Sequence, residues 1–141
     1  MSSTPDRNDF NRQVIEEFRA NNGKVTGMFA NAPLVLVTST GAKSGQQRTT
    51  PLVHTRDGDN IVIIASKGGA PSNPDWYYNL AANPEATVEL PGESFQAKAR
   101  EAKGAERDRL YNEQAALMPN FAEYAKKTTR TIPVIVLERV A

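Results

Sequence analysis

The sequence predicts a mainly β domain of the α+β class, a small antiparallel barrel of about six strands with peripheral helices. Three observations carry that expectation. Short β-rich runs are joined by hairpin-length links such as "RDGDN" and "PGES". The helical patterns lie at the ends and in insertions, so the βαβ crossovers of a doubly wound sheet are mostly missing. The chain has 141 residues, which favours one domain over residues 1–141. A domain of roughly 150 residues buries about 70% of the surface its unfolded chain exposes, so a core without staples is within reach. Closing the sheet on itself would also remove its exposed edges.

The elements follow in order. Residues 1–8 read as a mobile leader. Over residues 9–22 the apolar positions Phe10, Val14, Ile15 and Phe18 recur at helical spacing, with Asp9 as N-cap and Asn21, Asn22 and Gly23 as the stop. Packing on the barrel is the default for this helix, since Glu16 and Glu17 lie within it; a pocket lid or a membrane contact stays open. "LVLVTST" is a short strand and "RTTPLVHT" a second one. Pro51 lacks an N–H, so its position belongs at an edge or a bulge. "IVIIAS" follows the first hairpin turn. "NPDWYYNLAAN" reads as a short helix with Asn73 at the N-cap and Pro74 at the first helical position. "ATVEL" and "FQAKARE" form a second hairpin. Residues 103–118 look helical, with apolar Leu110, Ala115 and Leu117, and "NFAEYAKK" extends that helix or forms another. "IPVIVLERV" closes as a strand.

Composition removes several function classes. With no cysteine, disulfides, thiolate metal sites and cysteine nucleophiles are excluded. His54 is the only histidine, so no His-paired metal site is expected. A net charge of +1 is too weak to argue for nucleic acid. No apolar run approaches the roughly 20 residues that span a bilayer. The polar start "MSSTPDRNDFNRQ" lacks a signal-peptide core. A cytoplasmic location is expected, with a peripheral contact at the inner face of the membrane left open.

The chemistry points to two glycine loops. "TSTGAKSGQQRTTPL" carries Lys43 and Arg48; "SKGGAPSNP" carries Lys67 beside Gly68 and Gly69. Each follows a β run. If those strands are neighbours, three cations and a set of backbone N–H groups converge. Glycines let the backbone curl into an anion-binding nest, and the helix start at Asn73 and Pro74 adds a favourable dipole end. Ser44, Thr49 and Ser66 can add hydroxyl donors. The arrangement suits a phosphate or a carboxylate-rich tail. It is neither a phosphate-binding Walker loop nor a dinucleotide fingerprint, because the spacing and the strand–helix context are wrong.

Taken together, "TSTGAKSGQQRTTPL", "DGDNIVIIASKGG" and "NPDWYYNLAANPEATVEL" occur in an order and spacing that resembles the deazaflavin-dependent nitroreductase family. These are reductases of the flavin/deazaflavin oxidoreductase superfamily, class A, many from actinobacteria, that use coenzyme F-420, an 8-hydroxy-5-deazaflavin. The resemblance is close over residues 34–90 and looser to "TRTIPVIVLERV". It implies a split β-barrel and a cofactor groove built from the two loops. Lys43 and Ser44 match the first phosphate-side contacts, and Arg48 an anion-binding arginine. Thr49, Thr50, Pro51, Leu52 and Val53 match the strand that flanks the deazaflavin. Ile64, Ala65, Ser66 and Lys67 match the second wall, with Lys67 near the phosphate. Asp75, Trp76, Tyr77, Tyr78 and Asn79 match the helix start that closes the groove.

There are departures. Ala42 stands where family members often carry a basic residue. Val53, Met118 and Phe121 stand where a nitroimidazole-activating relative has tyrosines, while Tyr124 is retained. The resemblance therefore implies hydride transfer from reduced coenzyme F-420 to quinones, conjugated enones or similar electrophilic small molecules, with Val53, Met118, Phe121 and Tyr124 lining the substrate side. Tyr124 and Ser66 are the candidate proton donors, and water is the alternative. His54 alternates with Val53 along its strand and faces the other way. The competing expectations are an FMN-binding oxidoreductase of the same fold and a non-enzymatic deazaflavin carrier. The oligomeric state stays open.

Overall fold

The computed structural model describes residues 7–26 and 33–140. The expected leader falls mostly on residues 1–6, which lie outside the described residues. Helix α1 spans Arg7–Ala20, so it takes up two residues of that leader and places Asp9 within the helix rather than at its cap. The stop is as expected: Asn22 and Gly23 take positive φ of 55° and 89°, the left-handed region that ends helices.

Seven strands form one antiparallel sheet. They are β1 (Leu34–Thr40), β2 (Gln47–Val53), β3 (Thr55–Asp57), β4 (Asn60–Ile64), β5 (Glu85–Leu90), β6 (Glu93–Ala102) and β7 (Val134–Arg139). Their order is β2-β1-β5-β6-β7-β4-β3. The seventh strand appears because "RTTPLVHT" is two strands in space. It bends at His54, and the two halves, β2 and β3, form opposite edges of the sheet. One continuous segment thus bounds both sides, which curls the sheet into a split barrel. Pro51 pairs with Leu36 on edge strand β2, where a missing N–H is tolerated. Both expected hairpins form, with Gly58 at φ 62° and Gly92 at φ 74° in their turns.

The core explains why "LVLV" and "IVII" are continuous rather than alternating. Val35 and Val37 of β1, Ile61 and Ile63 of β4, and Ile135 and Leu137 of β7 share the inner cluster. The intervening residues face helices. Leu34 and Leu36 pack on Val14 and Phe18 of α1. Val62, Ile64, Val134 and Val136 pack on α3 (Gly104–Leu117) and α4 (Asn120–Lys127). A strand covered on both faces reads as an unbroken apolar run. Helix α1 therefore packs on the barrel, as expected by default. In α3 the buried face is Leu110, Tyr111 and Gln114, whereas Leu117, expected on the apolar side, is 73% exposed. The helix ends there, and Met118 turns the chain into α4.

Candidate functional site

β1 and β4 are not hydrogen-bonded neighbours; β5, β6 and β7 lie between them. The expectation that adjacency brings the glycine loops together is corrected in its route. Four antiparallel steps separate β1 from β4, so the two strands run in the same direction. Their following loops leave the sheet at the same end. Helix α2 (Asp75–Ala82) then joins them: it begins directly after the second loop, and its Asn79 Oδ1 accepts the Ala42 N–H of the first at 2.9 Å.

The first loop, residues 41–46, is a tight turn. The Gly41 N–H donates to Gln46 at 2.8 Å and the Gly45 N–H to Gly41 at 3.0 Å. A side chain at Gly41 would meet Ser44 Oγ at 2.5 Å, so the Ser44 hydroxyl would have to move to admit one. Ser44 Oγ accepts the Gln46 N–H at 3.2 Å. Lys43 and Arg48 are exposed, and neither pairs with a carboxylate among the described residues. Thr49 shares a 2.7 Å hydroxyl contact with Thr38. Beyond it on β2, Thr50 and Leu52 are half-buried and Pro51 is buried, while Val53 packs toward α3 and α4.

The second loop, residues 65–73, starts where Ile64 leaves β4. The Ala65 N–H donates to the Pro133 carbonyl at 2.9 Å. Ser66 is buried with no capping role for its hydroxyl, and Lys67 is exposed at φ 47°. Among the described residues, Lys67 Nζ donates only to Ser72 Oγ, at 3.4 Å. A β-carbon on a left-handed residue costs about 1–2 kcal/mol, so the surrounding structure must hold this turn.

The start of α2 corrects a second expectation. Pro74 is the N-cap, extended at φ −71° and ψ 158°, and Asp75 is the first helical residue. Asn73 does not cap the helix; its Oδ1 accepts Arg130 Nη1 at 2.7 Å. Asp75 is exposed and already complements the helix dipole. Trp76 is buried in the inner core. Tyr77 donates its hydroxyl to Glu101 at 2.6 Å, and that carboxylate together with burial pushes the phenol up to about 12. Tyr78 is half exposed and meets Tyr77 edge-on, with ring centroids 5.4 Å apart.

The four residues expected on the substrate side lie together. Val53, Met118, Phe121 and Tyr124 all belong to the cluster between β4, β7 and the two helices. Phe121 and Tyr124 meet edge-on at 5.3 Å. The Tyr124 hydroxyl accepts Asn120 Nδ2 at 2.9 Å, which leaves its own proton to donate. This helix also abuts the second loop: a side chain at Gly69 would lie 3.0 Å from the Tyr124 carbonyl and 2.9 Å from Lys127 Cβ. His54 falls between β2 and β3, at the bend rather than within a strand, and is buried, its Nδ1 without a partner among the described residues. Burial pulls its pKa below the ordinary 6.5, with Arg56 adding to that and the Pro33 carbonyl opposing it.

Sequence reasoning missed Arg130. Its guanidinium makes four hydrogen bonds to the second loop. The only sequence signal was its place in "TRTIPV", the loosest part of the resemblance.

A sheet whose two edges come from one bent strand, with two glycine loops at one end, is a split barrel. A solved F420-H2-dependent reductase has this fold: it is 41% identical, matches with a TM-score of 0.70, and covers 75% of this chain and 94% of its own. A structure described as a domain-swapped dimer is 35% identical at a TM-score of 0.72, covering 94% of this chain and 100% of its own. An F420H(2)-dependent quinone reductase of Mycobacterium tuberculosis is 38% identical over 128 residues, 86% of this chain and 85% of its own length. Residues 10–139 match the family described as F420H(2)-dependent quinone reductase. The chain belongs to that family.

Proposed function

We propose that this protein reduces quinones with reduced coenzyme F-420. The observation that carries the reading is the set of exposed cations, Lys43, Arg48 and Lys67, around two glycine loops at one end of the barrel, with no carboxylate among the described residues neutralising them. That donor set suits the phosphate and the acidic tail of a deazaflavin. In this reading Lys67 and the turn behind it hold the phosphate together with Lys43 and Ser44, while Arg48 binds an anionic group of the cofactor. β2, from Thr49 to Val53, and the stretch from Ile64 to Ser66 form the walls of the groove. Asn79 fixes the first loop to α2, and Trp76 and Tyr77 seat that helix.

When bound, the reduced deazaflavin supplies a hydride and no oxygen chemistry. Converting a quinone to a hydroquinone takes that hydride and one proton. Tyr124 delivers the proton to a quinone oxygen: Asn120 fills one of its acceptor sites and orients the hydroxyl. Ser66, buried beside the cationic loop, is the second donor. Val53 and Met118 are half-buried against the core that holds the buried Phe121, and this apolar lining suits the ring of a quinone or a conjugated enone. None of the described helices is long and apolar enough to cross a membrane, and an apolar quinone would reach this surface from solution or from a bilayer edge.

The test is a fluorescence titration with coenzyme F-420 and, in parallel, FMN, followed by mixing the reduced deazaflavin with menadione and with an enone. Tight deazaflavin binding with oxidation by menadione supports the reading. Preference for FMN, or binding without turnover on either acceptor, contradicts it.

A further inference from the structure

Arg130 sits in the link between α4 and β7, yet the hydrogen bonds of its guanidinium go to residues 65–73. Nε donates to the Ala70 carbonyl at 2.9 Å, Nη2 to the Ser66 carbonyl at 2.8 Å, and Nη1 to the Ala65 carbonyl at 3.2 Å and Asn73 Oδ1 at 2.7 Å. The planar fork of a guanidinium can satisfy several acceptors at fixed angles, which a lysine ammonium cannot. Arg130 is half-buried and pairs with no carboxylate among the described residues. It therefore engages three carbonyls that would repel an anion and adds an uncompensated positive charge at the loop.

The loop needs such support. Lys67 takes φ 47°, and the turn closes through Gly69 N–H to Ser66 at 2.9 Å and Ala70 N–H to Lys67 at 3.1 Å. Arg130 holds the carbonyls on both sides of this turn, and α4 presses on Gly69. We infer that Arg130 is the positioning residue of the anion loop. It fixes the turn before ligand arrives, so affinity depends on the shape of the guanidinium as well as its charge. This rests on the reading above that Lys67 and its turn hold the phosphate of the deazaflavin.

The test compares wild type with Arg130→Lys, which keeps the charge and loses the fork. Amide hydrogen exchange at Gly69 and Ala70 is measured without ligand, then affinity for coenzyme F-420 and steady-state turnover with menadione. Charge-assisted hydrogen bonds of this kind are each worth about a factor of ten. Exchange at both amides should accelerate about tenfold or more, and coenzyme F-420 should bind about tenfold more weakly, with the loss falling on KM more than on kcat. Asn73→Ala, which deletes one of the four acceptors, should move both readouts the same way by less, and it serves if Arg130→Lys fails to fold. Wild-type exchange rates in the variants overturn the inference. So does unchanged affinity beside a wild type that binds. If wild type itself does not bind coenzyme F-420, the functional reading fails, and the exchange rates alone decide whether Arg130 holds the turn.

Discussion

Where β5 turns into β6, Arg19 of α1 forks onto Glu89 at 3.0 and 2.7 Å, and Arg139 pairs with Glu93. That end of the sheet also holds a groove of about 390 Å³, lined by Phe18, Asn22, Gly23, Leu90 and Gly92 among others. At the opposite end, the cavity beside α2 is smaller, about 190 Å³. The glycine loops there carry Lys43, Arg48 and Lys67 with no carboxylate among the described residues on them. The larger groove has its charge neutralised internally. At the loop end Arg100 and Lys103 are also paired, with Glu106 and Glu101, but the cations of the glycine loops are left for something else. Uncompensated charge on a braced backbone, rather than cavity size, marks the candidate site. The three cations sit within reach of solvent, so the cost of leaving them unpaired is small until a ligand arrives.

That contrast can be broken from either end. The largest effect should come from Tyr124→Phe: turnover with menadione falls by about a hundredfold, the low end for a general acid, while the dissociation constant for coenzyme F-420 stays near wild type. Unaltered turnover removes Tyr124 as the donor and leaves Ser66 or water. Next, Lys67→Ala should weaken coenzyme F-420 binding about tenfold, as for one lost charge-assisted contact, with the thermal midpoint nearly unchanged. Equal affinity would contradict the placement of the phosphate. At the paired end, Arg19→Ala should cost about 0.5–1 kcal/mol in denaturant unfolding, since the ion pair is partly exposed, and leave cofactor affinity alone. A drop in affinity there would blur the distinction between the ends.

The smallest effect concerns His54, where β2 bends into β3. Its folded pKa lies below 6.5, so as pH falls below 6.5 the unfolded chain takes up a proton that the folded chain resists. Stability is therefore lost as pH drops toward the folded value. His54→Gln should flatten that part of the unfolding free energy between pH 5 and 7, read by urea titration. An unchanged slope would show that the imidazole is not buried as neutral in solution.

The elements of the fold were legible because their signals are local. Hairpin glycines, the proline in an edge strand, and the doubly covered runs "LVLV" and "IVII" each carry their meaning within a few residues. Strand order was not legible, since β1 and β4 meet the same core from opposite sides of three intervening strands. The site divided in the same way. Lys43, Arg48 and Lys67 were visible from loop chemistry. Trp76 reads as a groove residue in the motif but packs in the inner core, as large aromatics do. Arg130 was invisible because its acceptors lie 57 to 65 residues away in the chain. Nothing in "TTRTIP" says which loop it will brace.

The most direct measurement maps coenzyme F-420 onto the molecule by backbone amide NMR. Binding at the loop end predicts shift changes at residues 41–46 and 66–70, with residues 92–94 of the β5–β6 turn unmoved. Perturbation of 92–94 with quiet glycine loops would place the ligand in the larger groove and contradict the account.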